Sequence, residues 1–283
     1  MNAPLPITPH VVPFFFNVDP GTRFCLYHAP SKSVPARGAI LYVHPFAEEM
    51  NKTRRMASQQ ARAFAAMGFA VLQMDLFGCG DSCGDFHSGR WEQWKRDLAV
   101  AADWLANRTS GPLHLWGVRL GALLALDFAT TRQVDSVILW QPFVSGRTCI
   151  NQFLRLRLAA GMDSDNPQAP HSTAALRAEL AVAGKLEVAG YELDAAMVRG
   201  IDACDAASLK LLPCTVHWFA SGTSAARKLS PSAARLAERW APLGVKLHFQ
   251  PVDGIPFWAT TDIAECPALL AATVAVFSPD ASS

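Results

Sequence analysis

Short runs of β-branched and aromatic residues alternate with helical patterns along most of this chain, and this alternation constrains the fold more than any other feature. It is typical of a parallel sheet covered by helices. The predicted strands lie near residues 11–16, 23–28, 38–44, 69–75, 112–117, 134–140, 214–220 and 245–250. The predicted helices lie near residues 52–66, 90–107, 120–131, 229–240 and 265–277. The sequence therefore predicts an α/β fold on a mostly parallel, eight-stranded sheet.

One interval breaks the alternation. From about Gly146 to Ala207 the sequence gives "NQFLRLRLAAGMDSDNPQ" and then an Ala-rich helical stretch, with no strand pattern until after Leu212. This interval is too long for an ordinary connection, so it predicts a structured helical insertion. Ligands of open parallel sheets bind at the carboxyl ends of the strands, where such an insertion would form a cap. The expected units are core residues 1–147, a helical cap at 148–207, and core residues 208–283.

Composition excludes several classes of function. A net charge of +1 without a basic cluster gives no footprint for nucleic acid. The seven cysteines are scattered and lack zinc-site spacing, which indicates free thiols in a reducing compartment and no metal or other cofactor. No segment sustains the roughly 20 apolar residues of a membrane span. We therefore expect a soluble cytoplasmic protein that binds a small molecule.

The stretch "LHLWGVRLGALLALDFA" has the outline Gly-x-Ser-x-Gly of a nucleophile elbow, a turn that exposes a serine between a strand and a helix. Gly117 and Gly121 are present, but Arg119 stands at the central position, followed by Leu120. An arginine at the positive end of a helix dipole is unfavourable by about 0.3–1 kcal/mol, and burial raises that cost. Arg119 should therefore have an anionic partner. The candidates are Glu48, Glu49 and Asp81 from neighbouring loops, or an anionic ligand.

Two other loops follow predicted strands. In "VHPFAEEMNKTRR", His44 and Pro45 would set the loop and the backbone N–H near Phe46 would face the site, although His44 could also serve as an acid or base. Glu48 and Glu49 are either site carboxylates, balanced by nearby cations, or solvated charges that open the next helix. In "MDLFGCGDSCGDF", Asp81 can hydrogen-bond across a glycine-rich turn.

With these loops assembled, the chain resembles the α/β-hydrolases, and more narrowly the exosortase A system-associated hydrolase 2 family. The residues that carry the resemblance are "HPFAEEMNKTRR", "GVRLGALLAL", "WQPFVSGRTCINQFLRLRLA" and "GIPFW". It implies an α/β-hydrolase fold with a cap, and a role in bacterial exopolysaccharide production with a partner in that machinery. It also implies that His44 to Phe46 form an oxyanion loop.

The chain departs from the hydrolase pattern at all three triad positions. Arg119 replaces the serine, and Phe257, followed by Trp258, stands about where the histidine would. No histidine occurs from Phe249 to Ser283, and no Asp or Glu occurs from Thr215 through Ala237, where the acid of this fold normally lies. A "hydrolase" label taken from the fold does not by itself give a function.

Two functions remain open from the sequence. In the first, the chain is a non-standard hydrolase or acyl transferase in which Glu48, Glu49 or His44 activates water beside the oxyanion loop. In the second, it is a pseudoenzyme or binding protein whose cleft holds an anionic ligand through Arg119, assisted by Arg155 or Arg157 of the cap. The alternation of these two arginines with leucines leaves them either partly enclosed or solvated.

Overall fold

Eight strands form one sheet in the computed structural model, which describes residues 11–161, 171–222 and 229–278. The strands are β1 (Val11–Asn17), β2 (Thr22–His28), β3 (Gly38–Val43), β4 (Phe69–Met74), β5 (Leu113–Val118), β6 (Ser136–Trp140), β9 (Thr215–Ser221) and β10 (Lys246–Val252). A separate hairpin consists of β7 (Lys185–Val188) and β8 (Tyr191–Asp194). Each of the eight predicted strands is present, and the predicted fold class is confirmed.

The sheet order is β1-β2-β4-β3-β5-β6-β9-β10. Strands β1 and β2 are antiparallel to their neighbours, and the other six run parallel. Every residue of β3 and β6 is buried, as expected for central strands covered on both faces. Because the parallel strands point the same way, the loops after β3, β5, β6 and β10 meet at one edge.

Helices cover both faces of the sheet. They are α1 (Glu48–Ala66), α2 (Trp91–Ala106), α3 (Leu120–Phe128), α4 (Gly146–Gly161), α5 (Thr173–Ala183), α6 (Ala195–Asp202), α7 (Pro231–Trp240) and α8 (Pro267–Ala275). Helices α1 and α8 pack on one face, and α2 and α3 pack on the other. Helix α1 begins four residues before its predicted start, because Glu48 and Glu49 occupy its first turn, where carboxylates interact favourably with the helix dipole.

The inserted stretch is not wholly helical. Helices α4, α5 and α6 are joined by the β7–β8 hairpin, so the expectation of no strand before Leu212 was wrong. In β7, Leu186 and Val188 are buried between exposed neighbours, the alternation of a half-buried strand. Gly190 supplies the turn at φ 82°. Each strand has only four residues, which is too short for the pattern to compete with the Ala-rich helical signal around it. Part of the predicted cap, residues 162–170, lies outside the described residues.

The described ranges contain no helix that is both long and apolar enough to cross a membrane. In the same ranges, no cluster of three or more His, Cys, Asp or Glu side chains is arranged to hold a metal ion.

Candidate functional site

Arg119 lies in a tight turn between β5 and α3. Its backbone has φ 55° and ψ −116°, a conformation that costs a non-glycine residue of order 1–3 kcal/mol. A Cβ on Gly117 would lie 2.5 Å from the Cα of Ala122, and a Cβ on Gly121 would collide with the carbonyl oxygen of Val43. The two glycines are therefore required by the close approach of strand, turn and helix, and the backbone has the shape of a nucleophile elbow.

The side chain of Arg119 is enclosed by protein groups. Its Nε donates to both carboxylate oxygens of Glu49, at 3.1 and 3.3 Å, and one terminal nitrogen donates to Oε1 of Gln152 at 3.2 Å. The guanidinium carbon lies 4.1 Å from the ring centroid of Phe143 and 5.0 Å from that of Trp258. Only 8% of the Arg119 side chain is exposed, against 22% for Glu49. Of the candidate counter-ions, Glu49 is thus the partner of Arg119.

Burial dominates the titration of the groups beside this pair. It raises the pKa of the Glu49 carboxyl, and the Arg119 guanidinium opposes that rise. Burial also raises the pKa of the Cys149 thiol well above its ordinary value, and the charge of Glu49 adds to the increase. Cys149 therefore stays a thiol at neutral pH, whereas nucleophilic attack requires the thiolate.

Glu48 lies at the boundary between core and cap. Its side chain is exposed, and Oε2 accepts hydrogen bonds from the Tyr191 hydroxyl and from Nδ2 of Asn51, each at 3.1 Å. Burial and the Glu48 carboxylate together raise the pKa of Tyr191 to about 12. Because Tyr191 belongs to β8, the bond from its hydroxyl joins the cap hairpin to the first turn of α1. Glu48 thus contacts neutral donors rather than Arg119.

A pocket of about 150 Å³ opens between the first turn of α1 and helix α4 of the cap. It is smaller than the roughly 300–1,000 Å³ of typical ligand pockets. Lys52, at its wall, turns its Nζ away to donate to the carbonyl of Thr260 at 2.7 Å. The lining residues are Phe46, Glu48, Glu49, Lys52, Phe143, Cys149, Gln152, Phe153, Leu156, Trp258 and Ala259. The pocket therefore has aromatic walls and two carboxylates.

His44 is held by backbone groups at both ring nitrogens. Nδ1 donates to the carbonyl of Pro45 at 2.7 Å, and Nε2 accepts from the backbone N–H of Leu76 at 3.2 Å. Burial lowers its pKa, which favours the neutral ring. This geometry sets the loop after β3 and leaves neither nitrogen for acid–base work. In that loop Phe46 packs on Phe153 of the cap, with ring centroids 5.3 Å apart.

Two residues expected at the site lie elsewhere. Asp81 is exposed on its glycine-rich loop, where its backbone N–H donates to Oδ2 of Asp75 at 3.0 Å, and its side chain does not line the pocket. Phe257 is fully buried against Trp140, with ring centroids 6.1 Å apart, so it belongs to the core. Its neighbour Trp258 reaches the pocket instead. Turn geometry, which the sequence does not specify, decides which of the two aromatic rings faces Arg119.

The cap arginines also differ from expectation. Arg157 pairs with Glu179 at 3.0 Å inside the cap, and Arg155 is exposed. The cap residue that reaches Arg119 is Gln152, whose amide is not among the site residues predicted from the sequence. Phe143, Cys149 and Phe153 were also missed as pocket residues. The spacing of Cys149, Gln152 and Phe153 places them on the same side of α4. This spacing is a weak signal, because it does not show that this side of the helix faces the site.

The eight-stranded sheet, the elbow between β5 and α3, and the segment inserted after β6 together define an α/β-hydrolase fold. Within that class, the chain belongs to the family described as serine aminopeptidase, S33, because the model of that family matches residues 34–240, well over half of the chain.

A curated relative and several solved structures resemble the chain. Human protein ABHD12B is 28% identical over 160 residues, a match that covers 48% of this chain and 43% of the human protein. The chain therefore matches less than half of that protein's length. The α/β-hydrolase GrgF from Penicillium sp. sh18 superposes with a TM-score of 0.63 at 16% identity, over 94% of this chain and 97% of that one. Mouse α/β-hydrolase domain-containing protein 10 superposes with a TM-score of 0.60 at 13% identity, over 96% and 100%. At these identities the structures support the fold alone.

Proposed function

We propose that this chain is a pseudoenzyme of its family, a binding protein whose elbow holds a structural ion pair instead of a nucleophile. The observation that carries the proposal is the contact of Arg119 with both oxygens of Glu49 at 3.1 and 3.3 Å. A guanidinium stays protonated in proteins and cannot attack a carbonyl carbon. The carboxylate of Glu49 and the rings of Phe143 and Trp258 enclose the guanidinium at the position where the nucleophile of an elbow would stand.

The surroundings of the elbow support the same proposal. His44 uses both nitrogens on backbone groups, and burial raises the pKa of Cys149, so neither supplies a ready base or nucleophile. The position after β10 carries Phe257 and Trp258 where a histidine would be needed. Three departures at three separate strand ends argue against a relocated serine-type mechanism.

The ligand of this proposed binding site is small and carries no net charge. Arg119 already has a counter-ion, so an anionic ligand could reach it only by displacing Glu49. The opposing charges of Glu48 and Lys52 also give the pocket no excess of either sign. The aromatic walls favour an apolar body. This changes the expectation of an anionic ligand anchored by Arg119, since the protein itself supplies the anion.

A pair of isosteric probes tests the ligand class. Benzamide and benzoate have the same shape and differ in charge, and their binding can be compared by ligand-observed NMR. We expect benzamide to bind at least as tightly as benzoate, and Leu156→Trp at the pocket wall to weaken both. The exposed apolar Val182, outside the pocket, is a matched control as Val182→Trp. Benzoate binding that exceeds benzamide binding tenfold and disappears in Arg119→Met would instead establish Arg119 as an anion anchor.

A catalytic role for Glu48 is the second candidate function. Glu48 is exposed at the pocket beside the loop of Phe46, so its carboxylate could activate water there. This hypothesis predicts slow hydrolysis of an activated ester that Glu48→Gln abolishes. It requires the Glu48 carboxylate, which already accepts hydrogen bonds from Tyr191 and Asn51, to act as a base.

The narrower family resemblance supports a cellular role in exopolysaccharide production. We propose a cytoplasmic protein that acts with the exopolysaccharide machinery accompanying exosortase, on the strength of the motifs "HPFAEEMNKTRR" and "WQPFVSGRTCINQFLRLRLA". Deletion of the gene in its own host should reduce exopolysaccharide, and a copy carrying Leu156→Trp should fail to restore it. Normal polysaccharide in the deletion strain would contradict this role.

A further inference from the structure

A second pocket, of about 190 Å³, lies between α1 and the β2–β4–β3 part of the sheet. It is separate from the pocket beside Arg119, and the two have no lining residue in common. Its lining residues are Phe24, Leu26, Tyr42, His44, Met50, Arg54, Ala57, Ser58, Gln73, Met74 and Asp75. Six of these eleven have polar side chains, an unusual composition for a sheet face covered by a helix.

Strand register explains why these polar side chains meet. Gln73 of β4 pairs with Tyr42 of β3 and with Leu26 of β2, so their side chains share one face of the sheet. Asp75 and His44, each two residues further along, belong to the same face. A helix-covered parallel sheet normally presents apolar side chains there. Buried polar groups are costly unless they have partners, so this polar patch requires an explanation.

Asp75 has a free acceptor in the pocket. Its Oδ2 accepts from Arg54 at 3.1 Å and from the backbone N–H of Asp81 at 3.0 Å. Within the described part of the chain, no hydrogen bond to its Oδ1 is made. The residue is 7% exposed and lines the pocket, and its Oδ1 is not fully enclosed by protein atoms. An ionised carboxylate normally accepts bonds at both oxygens.

Side chains that can donate line the same pocket. Gln73 uses its Oε1 with Nε2 of His28 at 2.9 Å, which leaves its amide N–H groups for another acceptor. Arg54, at the mouth with 42% of its side chain exposed, commits one nitrogen to Asp75. The hydroxyl of Ser58 can donate or accept. Since Arg54 and Asp75 cancel in charge, the pocket suits a neutral ligand.

We propose that this pocket is a binding site for a neutral, hydroxyl-rich small molecule, a polyol or a monosaccharide. A hydroxyl can donate to Oδ1 of Asp75 while it accepts from Gln73 or Arg54, whereas an apolar or purely accepting ligand cannot satisfy both. The carbon skeleton would pack on Phe24 and Leu26. The alternative occupant is ordered water, which commonly satisfies buried polar groups.

The test is saturation-transfer NMR of the full chain with myo-inositol and D-glucose, with the purely accepting cyclohexanone as the ligand control. We expect saturable binding of the two polyols and at least tenfold weaker binding of cyclohexanone. In Asp75→Asn, the amide oxygen keeps the place of Oδ2 because it must accept from Asp81, so the NH2 group replaces the free acceptor by a donor. This variant should weaken polyol binding at least tenfold. Asp103 is also paired with an arginine but lies on the surface away from the pocket, so Asp103→Asn should leave polyol binding unchanged.

Ser58→Leu provides a second variant that leaves the Asp75–Arg54 pair intact and fills the mouth of the pocket. It should abolish polyol binding while the protein keeps its melting temperature. The proposal is overturned if the wild-type protein shows no saturable polyol signal, or if Ser58→Leu binds the polyols as well as the wild type. A crystal soaked in myo-inositol that shows only water in this pocket would contradict it equally.

Discussion

Arg119, directly before α3, and Glu49, in the first turn of α1, form an ion pair of 3.1 Å across the edge where the elbow meets the loop after β3. Ala47, two residues before Glu49, and Arg119 have the same unusual backbone conformation. Ala47 has φ 51° and ψ −132°, and Arg119 has φ 55° and ψ −116°. The pair connects the two helix starts that in an elbow-type site would shape the oxyanion pocket. We infer that the backbone of the site is maintained while its centre has become structural.

Removal of the cation should cost more stability than removal of the anion. In Arg119→Met, the partly buried carboxylate of Glu49 loses its counter-ion, and we expect a loss of about 3 kcal/mol in the free energy of unfolding. In Glu49→Gln, Arg119 keeps a charge without a counter-ion, but the amide oxygen still accepts from Nε and two aromatic rings still face the guanidinium, so a smaller loss of about 2 kcal/mol is expected. Urea unfolding measures both. The double variant Arg119→Met/Glu49→Leu should lose less than Arg119→Met alone, and equal or larger losses would contradict a coupled pair.

The raised pKa of Glu49 predicts the pH dependence of stability. A carboxyl whose pKa is higher in the folded than in the unfolded chain favours folding when protonated. Its contribution is therefore greatest below the ordinary value of 4.5 and is lost as pH rises through the higher folded pKa. The difference in stability between wild type and Glu49→Gln should shrink over this interval. When both proteins also carry Arg119→Met, the same difference should shrink over an interval that extends to higher pH, because the opposing positive charge is gone. If the effect of Glu49→Gln does not depend on pH, with or without Arg119→Met, the burial of Glu49 is contradicted.

His44 should stay neutral below the pH at which a free histidine titrates. Burial lowers its pKa from 6.5, so its neutral form supports folding above 6.5 and this support is lost as pH falls through the folded pKa. Nitrogen-15 NMR should show the proton on Nδ1, which donates to Pro45, and an unprotonated Nε2 facing Leu76. A His44 ring that is protonated at pH 6.5, or that carries its proton on Nε2, would show that the loop is held differently.

The hydrogen bond between Tyr191 and Glu48 should hold the cap hairpin on the core. Tyr191→Phe removes a hydroxyl and keeps the ring on Phe86, 4.8 Å between centroids. We expect a modest loss of about 1 kcal/mol in local opening free energy. Hydrogen exchange should accelerate in β7 and β8 and stay unchanged in β3. Tyr27→Phe, on β2, is the matched control. Unchanged exchange in the hairpin would mean that its packing alone keeps it in place.

The sheet could be predicted because its strands are long and separated by clear helical patterns. The β7–β8 hairpin could not, since four residues carry too little periodicity. The counter-ion of Arg119 likewise could not be chosen from the sequence, because it depends on tertiary geometry. Glu48 and Glu49 are adjacent in the sequence, but successive residues of a helix point about 100° apart, so only one of them can face α3. The sequence narrowed the partner of Arg119 to a few carboxylates, and the packing of α1 against the elbow selected Glu49.

The side chains contributed by the cap were the least predictable part of the site. Gln152 and Phe153 reach the site because α4 crosses the carboxyl edge of the sheet, and no local pattern reports where a cap helix will lie. Arg155 and Arg157, the more conspicuous residues in the sequence, lie on other sides of the same helix. Their charge made them the candidates from the sequence, whereas the position of each residue around the helix determines which side chains approach Arg119.

The most direct test of the central claim is the turnover of p-nitrophenyl acetate by the purified protein, measured beside Arg119→Met and Glu48→Gln. We predict that the wild type releases p-nitrophenol no faster than either variant, and no faster than the same protein unfolded in urea and corrected for the denaturant. A wild-type rate at least tenfold above that of both folded variants would contradict the account, because it would place chemistry where we infer a structural ion pair.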